Sequence, residues 1–406
     1  MKPSEKIVSA SSPSLSKSWL AVLSVALGAF VVVTSEFLPI GLLTHIAGGL
    51  EVTAGTAGLM ITIPGLVAAI AAPVMTITAG HFDRRTLVLF LIGLLVASNL
   101  LAAFAPNFAV MIVARVLFGI TLGGFWTIAV TLGARLVPPG SAARATTIIF
   151  AGISIATVIG VPSGTLIAGL AGWRVAFIVL GGVALLIGAV QLFVLPSLPS
   201  PPTPGVRQLV SLLGHSDARL GLLTIAFVIA GHFAAYTYVT PFLKDSATIS
   251  PGSLSSLLLA FGVAGIVGNF AGGAFAARNL RLTLITAVSL LAGAVMLLPV
   301  FGHQLTGAAV LLIAWGLAFG AIPVVLQLWV FKAAPEALEG GAALLVSTFQ
   351  IFIALGSVVG GRIVDDLGTS AVMWAGGATA LAGLGVVALS RHKKSSVPAA
   401  AQPHLV

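Results

Sequence analysis

The sequence predicts an all-α polytopic membrane protein of twelve transmembrane helices in two pseudo-symmetric six-helix halves, with both termini cytoplasmic. Three observations predict it. Of 406 residues, 58 % are hydrophobic and 7 % charged, which excludes an ordinary water-soluble globule. Apolar runs of about 20 residues, enough to cross a hydrocarbon core of roughly 30 Å as helix, recur along the whole chain. The Lys and Arg residues sort by side: fifteen of the nineteen fall with the termini, Arg174, Lys244 and Arg362 fall opposite, and Arg115 lies inside a span. The net charge of +9 is therefore a topology signal, and no nucleic-acid partner is expected.

The elements follow in order. Residues 1–18 are polar and Ser-rich, and the run after them is longer than a signal-peptide core and lacks a convincing cleavage site, so 1–18 reads as a cytoplasmic tail and 19–43 as an uncleaved first span. Span 1 carries one carboxylate, Glu36, three residues before Pro39. Spans 2 (54–78) and 3 (86–104) are joined by the charged loop GHFDRR, Gly80 to Arg85. Span 4 (108–133) contains RVLFGITLGGFW, in which Arg115, Gly119, Leu122 and Trp126 share a helical face. Span 5 (144–168) contains GVPSGTLIAG with Gly160 and Pro162, and span 6 (175–195) follows GWRVAF. The proline-rich connection 196–218 divides the spans six and six, making 19–195 and 219–390 the two halves. Spans 7 to 12 (219–243, 253–277, 281–301, 306–331, 341–364 and 371–390) precede a second cytoplasmic tail, 391–406. A shift of 197 residues superposes Gly119 on Gly316, Gly123 on Gly320, Pro138 on Pro335 and Gly164 on Gly361, as two copies of one six-span design would.

Glu36 is the acidic residue well inside a span. It lies eight residues before Thr44, and Arg115 lies eight residues after Asn107, so both sit about 12 Å of helical rise from the same membrane face. A lone guanidinium at that depth costs several kcal/mol, so Arg115 needs a partner, and pairing with Glu36 answers the burial of both. Two readings stay open: Glu36 exchanges a proton in each cycle, or the pair is a permanent bridge. His232 and Tyr236 share a face of span 7, Gln327 stands on span 10, and Ser347, Gln350 and Ser357 share a face of span 11. With Trp126, Trp315 and Trp329 they are candidates to hydrogen-bond or stack on a solute, or else to tie helices together. The chain has no cysteine, its loop histidines (His45, His81, His215, His303, His392) are scattered, and it lacks a phosphate-cradling loop. No metal, cofactor or ATP drive is expected, the proton being the coupling ion, and no paired catalytic set marks an enzyme.

GHFDRR, RVLFGITLGGFW, GVPSGTLIAG and GWRVAF together resemble the motifs of the major facilitator superfamily, over essentially the whole chain. TSEFLPIGLL, FWTIAVTLGARLVPP and GHFAAYTYVTPF are similar to stretches of bacterial twelve-span efflux permeases in its drug:proton antiporter family. Within that family the sugar (arabinose-type) and purine-ribonucleoside efflux permeases come nearest. The resemblance implies the major facilitator fold in a bacterial inner membrane, a monomer whose spans 1 and 4 line a cavity opened alternately to each side. It implies export of a small organic solute, whether sugar, nucleoside or drug, in exchange for protons. Uniport or import of the same solutes, and a solute-binding sensor that does not transport, are the other readings. It implies a latch at Asp83 against the positive N-terminal end of span 11 near Gly340 and Gly341, with Arg84 and Arg85 as latch partners or topology charges. It also implies a bendable gate helix at Gly160 and Pro162, here separated by Val161.

Overall fold

Inside a bilayer the backbone must satisfy its own hydrogen bonds, and continuous helix is the local solution for a chain this apolar. The computed structural model describes residues 15–78, 82–138, 141–199, 216–246, 251–333 and 338–389, among which there is no strand. The first group of helices is α1 (Leu15–Gly49), α2 (Ala54–Thr78), α3 (Arg84–Ala103), α4 (Phe108–Leu136), α5 (Ala142–Ile155), a π-helical turn (Ala156–Gly160), α6 (Val161–Ala171) and α7 (Trp173–Val194). The second is α8 (Ser216–Tyr236), α9 (Val239–Ser246), α10 (Pro251–Phe301), α11 (Leu305–Ala333), α12 (Leu338–Leu367) and α13 (Thr369–Leu389).

Among the described residues, eleven helices are long and apolar enough to cross a membrane. The expected twelve exceeds this by one, and the difference lies in α10, a run of 51 residues. Its backbone leaves the helix at Asn279 (φ −151°, ψ 93°), whose side-chain oxygen accepts from the Leu282 amide at 3.0 Å and caps the second limb. The short tract expected to separate spans 8 and 9 thus turns the chain by a kink and one cap. Proline explains two other departures. Span 7 ends in two pieces, α8 and α9, because Pro241 has no N–H to offer the Thr237 carbonyl. In span 5 the widened π turn falls directly before Val161 and Pro162 and absorbs the missing amide. The expected tail, 1–18, becomes helical at Leu15, and most of the expected linker, residues 200–215, lies outside the described residues.

Helices α1 to α7 pack among themselves, as do α8 to α13. The two groups meet where α2 lies along α12, where α6 and the π turn lie against α10, and where α1 touches α9. Close approach within each group depends on glycine. A Cβ on Gly119 or Gly123 would come within 2.9 Å or 2.7 Å of the Pro64 or Ala68 carbonyl oxygen of α2, and one on Gly316 or Gly320 would overlap the Phe261 or Gly265 carbonyl oxygen of α10. Two of the glycine pairs superposed by the 197-residue shift, Gly119 with Gly316 and Gly123 with Gly320, therefore have equivalent packing roles, whereas Gly164 faces the Leu38 side chain of α1 and Gly361 faces Tyr238 and Gly55.

Candidate functional site

Arg115 projects from α4 into a buried space between α1 and α2, and it is 1 % exposed. Its Nε donates to the Met60 carbonyl at 2.9 Å and its Nη1 to the Ser35 carbonyl at 3.2 Å. These two acceptors have a common origin. In a helix the carbonyl of residue i−4 bonds the amide of residue i, and Pro39 and Pro64 have no amide hydrogen, so the carbonyls they orphan are those of Ser35 and Met60. Arg115 fills both vacancies with one planar fork and rests on the Phe118 ring, 4.4 Å from its centroid.

Glu36 is the one buried acidic side chain among the described residues. It does not form the contact ion pair with Arg115 that their equal depth suggested. The guanidinium is taken up by the proline-orphaned carbonyls, one of them on Ser35 next door, and Glu36 Oε1 instead accepts from Gln350 Nε2 at 3.1 Å. That hydrogen bond joins α1 to α12, one group of helices to the other. Behind Glu36, Asn99 of α3 donates to Ser35 Oγ at 3.1 Å and to the Leu95 carbonyl at 3.0 Å, which fixes α1 from the other side.

A buried aromatic cluster adjoins this acid. His232 and Tyr236 of α8, four residues apart, stack with centroids 5.1 Å apart. Trp315 of α11 donates its indole N–H to His232 Nδ1 at 3.0 Å, which leaves the proton of a neutral imidazole on Nε2. Phe319, one turn along, lies parallel to the imidazole at 3.5 Å, and Phe261 of α10 stacks on Tyr236 at 4.8 Å. Phe233 carries the cluster to α1, where it stacks on Phe37, the residue after Glu36, at 6.0 Å. The aromatic cluster thereby reaches α1 at the residue that follows Glu36. His232 Nε2 and Gln350 Oε1 are buried and have no hydrogen-bond partner among the described residues.

The structure brings together Glu36, Arg115, His232, Tyr236, Trp315 and Gln350. It does not bring Gln327 or Trp126 to them: Gln327 is exposed, and Trp126 lies eleven residues beyond Arg115 on α4, about 16 Å of rise away, edge-on to Phe125 at 6.3 Å. Gly160 packs directly on Thr34 of α1, and Pro162 follows at the start of α6. Sequence reasoning missed Ser35, Phe37, Asn99 and Phe319. Asn99 carried the same signal as Glu36, a polar side chain in an apolar run, and Phe319 stands at i+4 from Trp315.

Asp83 lies elsewhere. Its Oδ1 accepts from the Arg85 amide at 2.8 Å and the Thr86 amide at 3.4 Å, so it is the N-cap of α3. Its Oδ2 accepts from the Ser197 hydroxyl and from the Leu198 amide at 2.8 Å, which ties α3 to the chain leaving α7. Arg84 and Arg85 reinforce that tie, the Arg84 amide donating to the Leu198 carbonyl at 2.9 Å and the Arg85 guanidinium to the Leu192 carbonyl. Desolvation pushes the Asp83 carboxyl up, but the four hydrogen bonds outweigh it and hold the group below its ordinary value. Its folded pKa being depressed, its contribution to stability is present above the unfolded value and is lost as pH falls through the folded one. Thermal unfolding against pH should therefore show wild type more stable than Asp83→Asn at neutral pH, with the two curves converging on acidification below the carboxylate range.

A family model described as Major Facilitator Superfamily matches residues 25–350. The chain is 36 % identical to the transcription regulatory protein OpdE of Pseudomonas aeruginosa over 387 residues, covering 94 % of this chain and 96 % of OpdE. It is 34 % identical to the purine ribonucleoside efflux pump NepI of Shigella sonnei over 382 residues, covering 93 % and 96 %. Among solved structures it is similar to a bacterial homologue of the human lysosomal transporter Spinster (TM-score 0.71, 14 % identity, 92 % of this chain and 95 % of that one). It is also similar to the human organic anion transporter MFSD10 (TM-score 0.66, 16 % identity, 93 % and 100 %).

Proposed function

The chain belongs to the Major Facilitator Superfamily, and from that premise we propose that it is a proton-coupled exporter of a purine ribonucleoside or a solute of similar shape. The observation that carries this reading is the hydrogen bond between Glu36 and Gln350: the one buried acid among the described residues is held by a residue of the opposite helix group. Any motion that separates the groups must break that bond and change the surroundings of the carboxyl, which is the requirement for linking proton binding to alternating access. The proton enters from outside as solute leaves, across a bacterial inner membrane, with both termini cytoplasmic. Asp83, Arg84, Arg85, Gly160 and Pro162 act in gating, the first three by tying the start of α3 to the chain leaving α7 and the last two by allowing span 5 to bend.

The aromatic cluster supports a planar solute. His232, Tyr236, Trp315 and Phe319 supply flat faces, and the unpartnered His232 Nε2 and Gln350 Oε1 supply a donor and an acceptor for a base edge or ribose hydroxyl. One base–aromatic stack is worth about 1–3 kcal/mol. Tyr236→Leu is therefore expected to weaken purine ribonucleoside binding by about tenfold or more, read by titration of purified protein, and to leave the His232–Trp315 hydrogen bond in place. The function itself is tested in proteoliposomes: a pH gradient, inside alkaline or acidic in turn, should drive accumulation of a radiolabelled purine ribonucleoside in the direction opposite to proton flow.

The OpdE relative favours a second reading, a membrane sensor that binds a solute without moving it. Saturable nucleoside binding by purified protein with no flux in the same proteoliposomes would select that reading.

A further inference from the structure

The face on which α2 meets α12 is a continuous seam. From α2 it takes Gly55, Gly58, Thr62 and Gly65, and from α12 it takes Gln350, Ala354, Ser357, Gly361 and Asp365, spaced three or four apart on both helices. At one end Asp365 caps α2 in trans. Its Oδ1 accepts from the Gly55 amide at 2.9 Å and its Oδ2 from the Thr53 hydroxyl at 2.7 Å, while Thr53 accepts from the Thr56 amide at 3.0 Å as the N-cap of α2. A carboxylate of one helix group thus sits on the positive end of a helix of the other with both oxygens engaged.

Next along the seam, the Tyr238 hydroxyl passes between Gly58 and Gly361, where neither position has room for a Cβ, and donates to the Ser357 carbonyl at 2.8 Å. Ser357 Oγ donates to the Gly58 carbonyl at 3.1 Å and Thr62 reaches the Ala354 carbonyl at 3.4 Å. The far end of the seam is Gln350, about 22 Å of helical rise from Asp365, and Gln350 holds Glu36. Asp366, the next residue, has different work: it pairs with Arg362 of its own helix at 2.8 Å on the exposed surface.

We infer that Asp365 is the latch of a gate formed by the α2–α12 seam at the end of the bundle away from residues 82–84. Opening this gate strips two charge-assisted hydrogen bonds from the N-terminus of α2 and withdraws Tyr238 from between the glycines. The seam runs from latch to acid without interruption, so the gate and the Glu36–Gln350 bond open together. The inference goes beyond the proposed function and rests on it only in that an alternating-access cycle requires this end to open.

The chain has no cysteine, so Ser357→Cys introduces a single thiol at a position that is fully buried while the seam is shut. In the full chain in lipid nanodiscs, Asp365→Asn is expected to raise the rate at which a membrane-impermeant maleimide labels that thiol by about tenfold or more, from the loss of hydrogen bonds to a charged acceptor. Asp366→Asn, which breaks only the surface pair, is expected to leave the rate at the parent value. A parent rate in Asp365→Asn, or an equal rise in Asp366→Asn, overturns the latch. If Asp365→Asn is not recovered folded, Thr53→Asp keeps a capping acceptor for the Thr56 amide but puts a like charge where Oδ2 had a donor; a rise supports the latch and an unchanged rate overturns it. Labelling needs neither solute nor a proton gradient, so its failure is distinct from a failure of proton coupling.

Discussion

Glu36→Gln is expected to abolish solute accumulation driven by a pH gradient while leaving solute binding and solute–solute exchange in place. For one proton exchanged per uncharged solute, with the membrane potential clamped at zero, each pH unit of gradient supports about tenfold accumulation. Wild type should approach that ratio and the variant should remain at about one, its solute equilibrating across the liposome membrane. Gln preserves the shape of the side chain and an acceptor for Gln350 Nε2, so a loss of accumulation reports the missing proton site and not a broken contact between α1 and α12. Unchanged gradient-driven accumulation would remove Glu36 from the coupling mechanism.

Arg115→Met is expected to lower stability by about 3 kcal/mol, the scale of two charge-assisted hydrogen bonds, and a rescue should expose the cause. With the guanidinium gone, the Ser35 and Met60 carbonyls face an apolar interior with no donor, because Pro39 and Pro64 cannot supply one. Replacing either proline by Ala restores an amide to its carbonyl. Pro39→Ala and Pro64→Ala should each return about 1 kcal/mol in the Arg115→Met background and much less in wild type, where the carbonyl is already satisfied. Additive effects across the two backgrounds would show that Arg115 stabilises the fold in some other way. Arg115→Lys is expected to recover only part of the loss, since a point charge cannot span both carbonyls.

The helices and their membrane character were legible from hydropathy alone, because local composition decides them. Where one span ended and the next began was less so. Asn279 shows why: a single residue leaving helical geometry and capping the next limb turns the chain without a polar loop. The equal depth of Glu36 and Arg115 was legible from residue counting, but the inference that equal depth means pairing left out a competitor. Two prolines had each orphaned a carbonyl within reach of the guanidinium, and a rule as simple as i−4 names them. Gln350 as the partner of Glu36 could not be read, since the two are 314 residues apart and meet only through the packing of the two groups. His232 and Tyr236 were legible as a helical pair, but Phe37 and Phe319 carry no polar signal and looked like ordinary core. Asp365 follows directly on the end of span 11, where an acidic residue carries no signal of its own, and its capping of α2 depends on how the groups dock.

Proton antiport by this chain is tested most directly by reading the proton itself. In proteoliposomes with a trapped pH-sensitive dye and no imposed pH gradient, a purine ribonucleoside gradient should move protons against the direction of solute flow, so that nucleoside loaded inside acidifies the lumen as it leaves. Nucleoside efflux at the wild-type rate with no change in luminal pH would contradict the account.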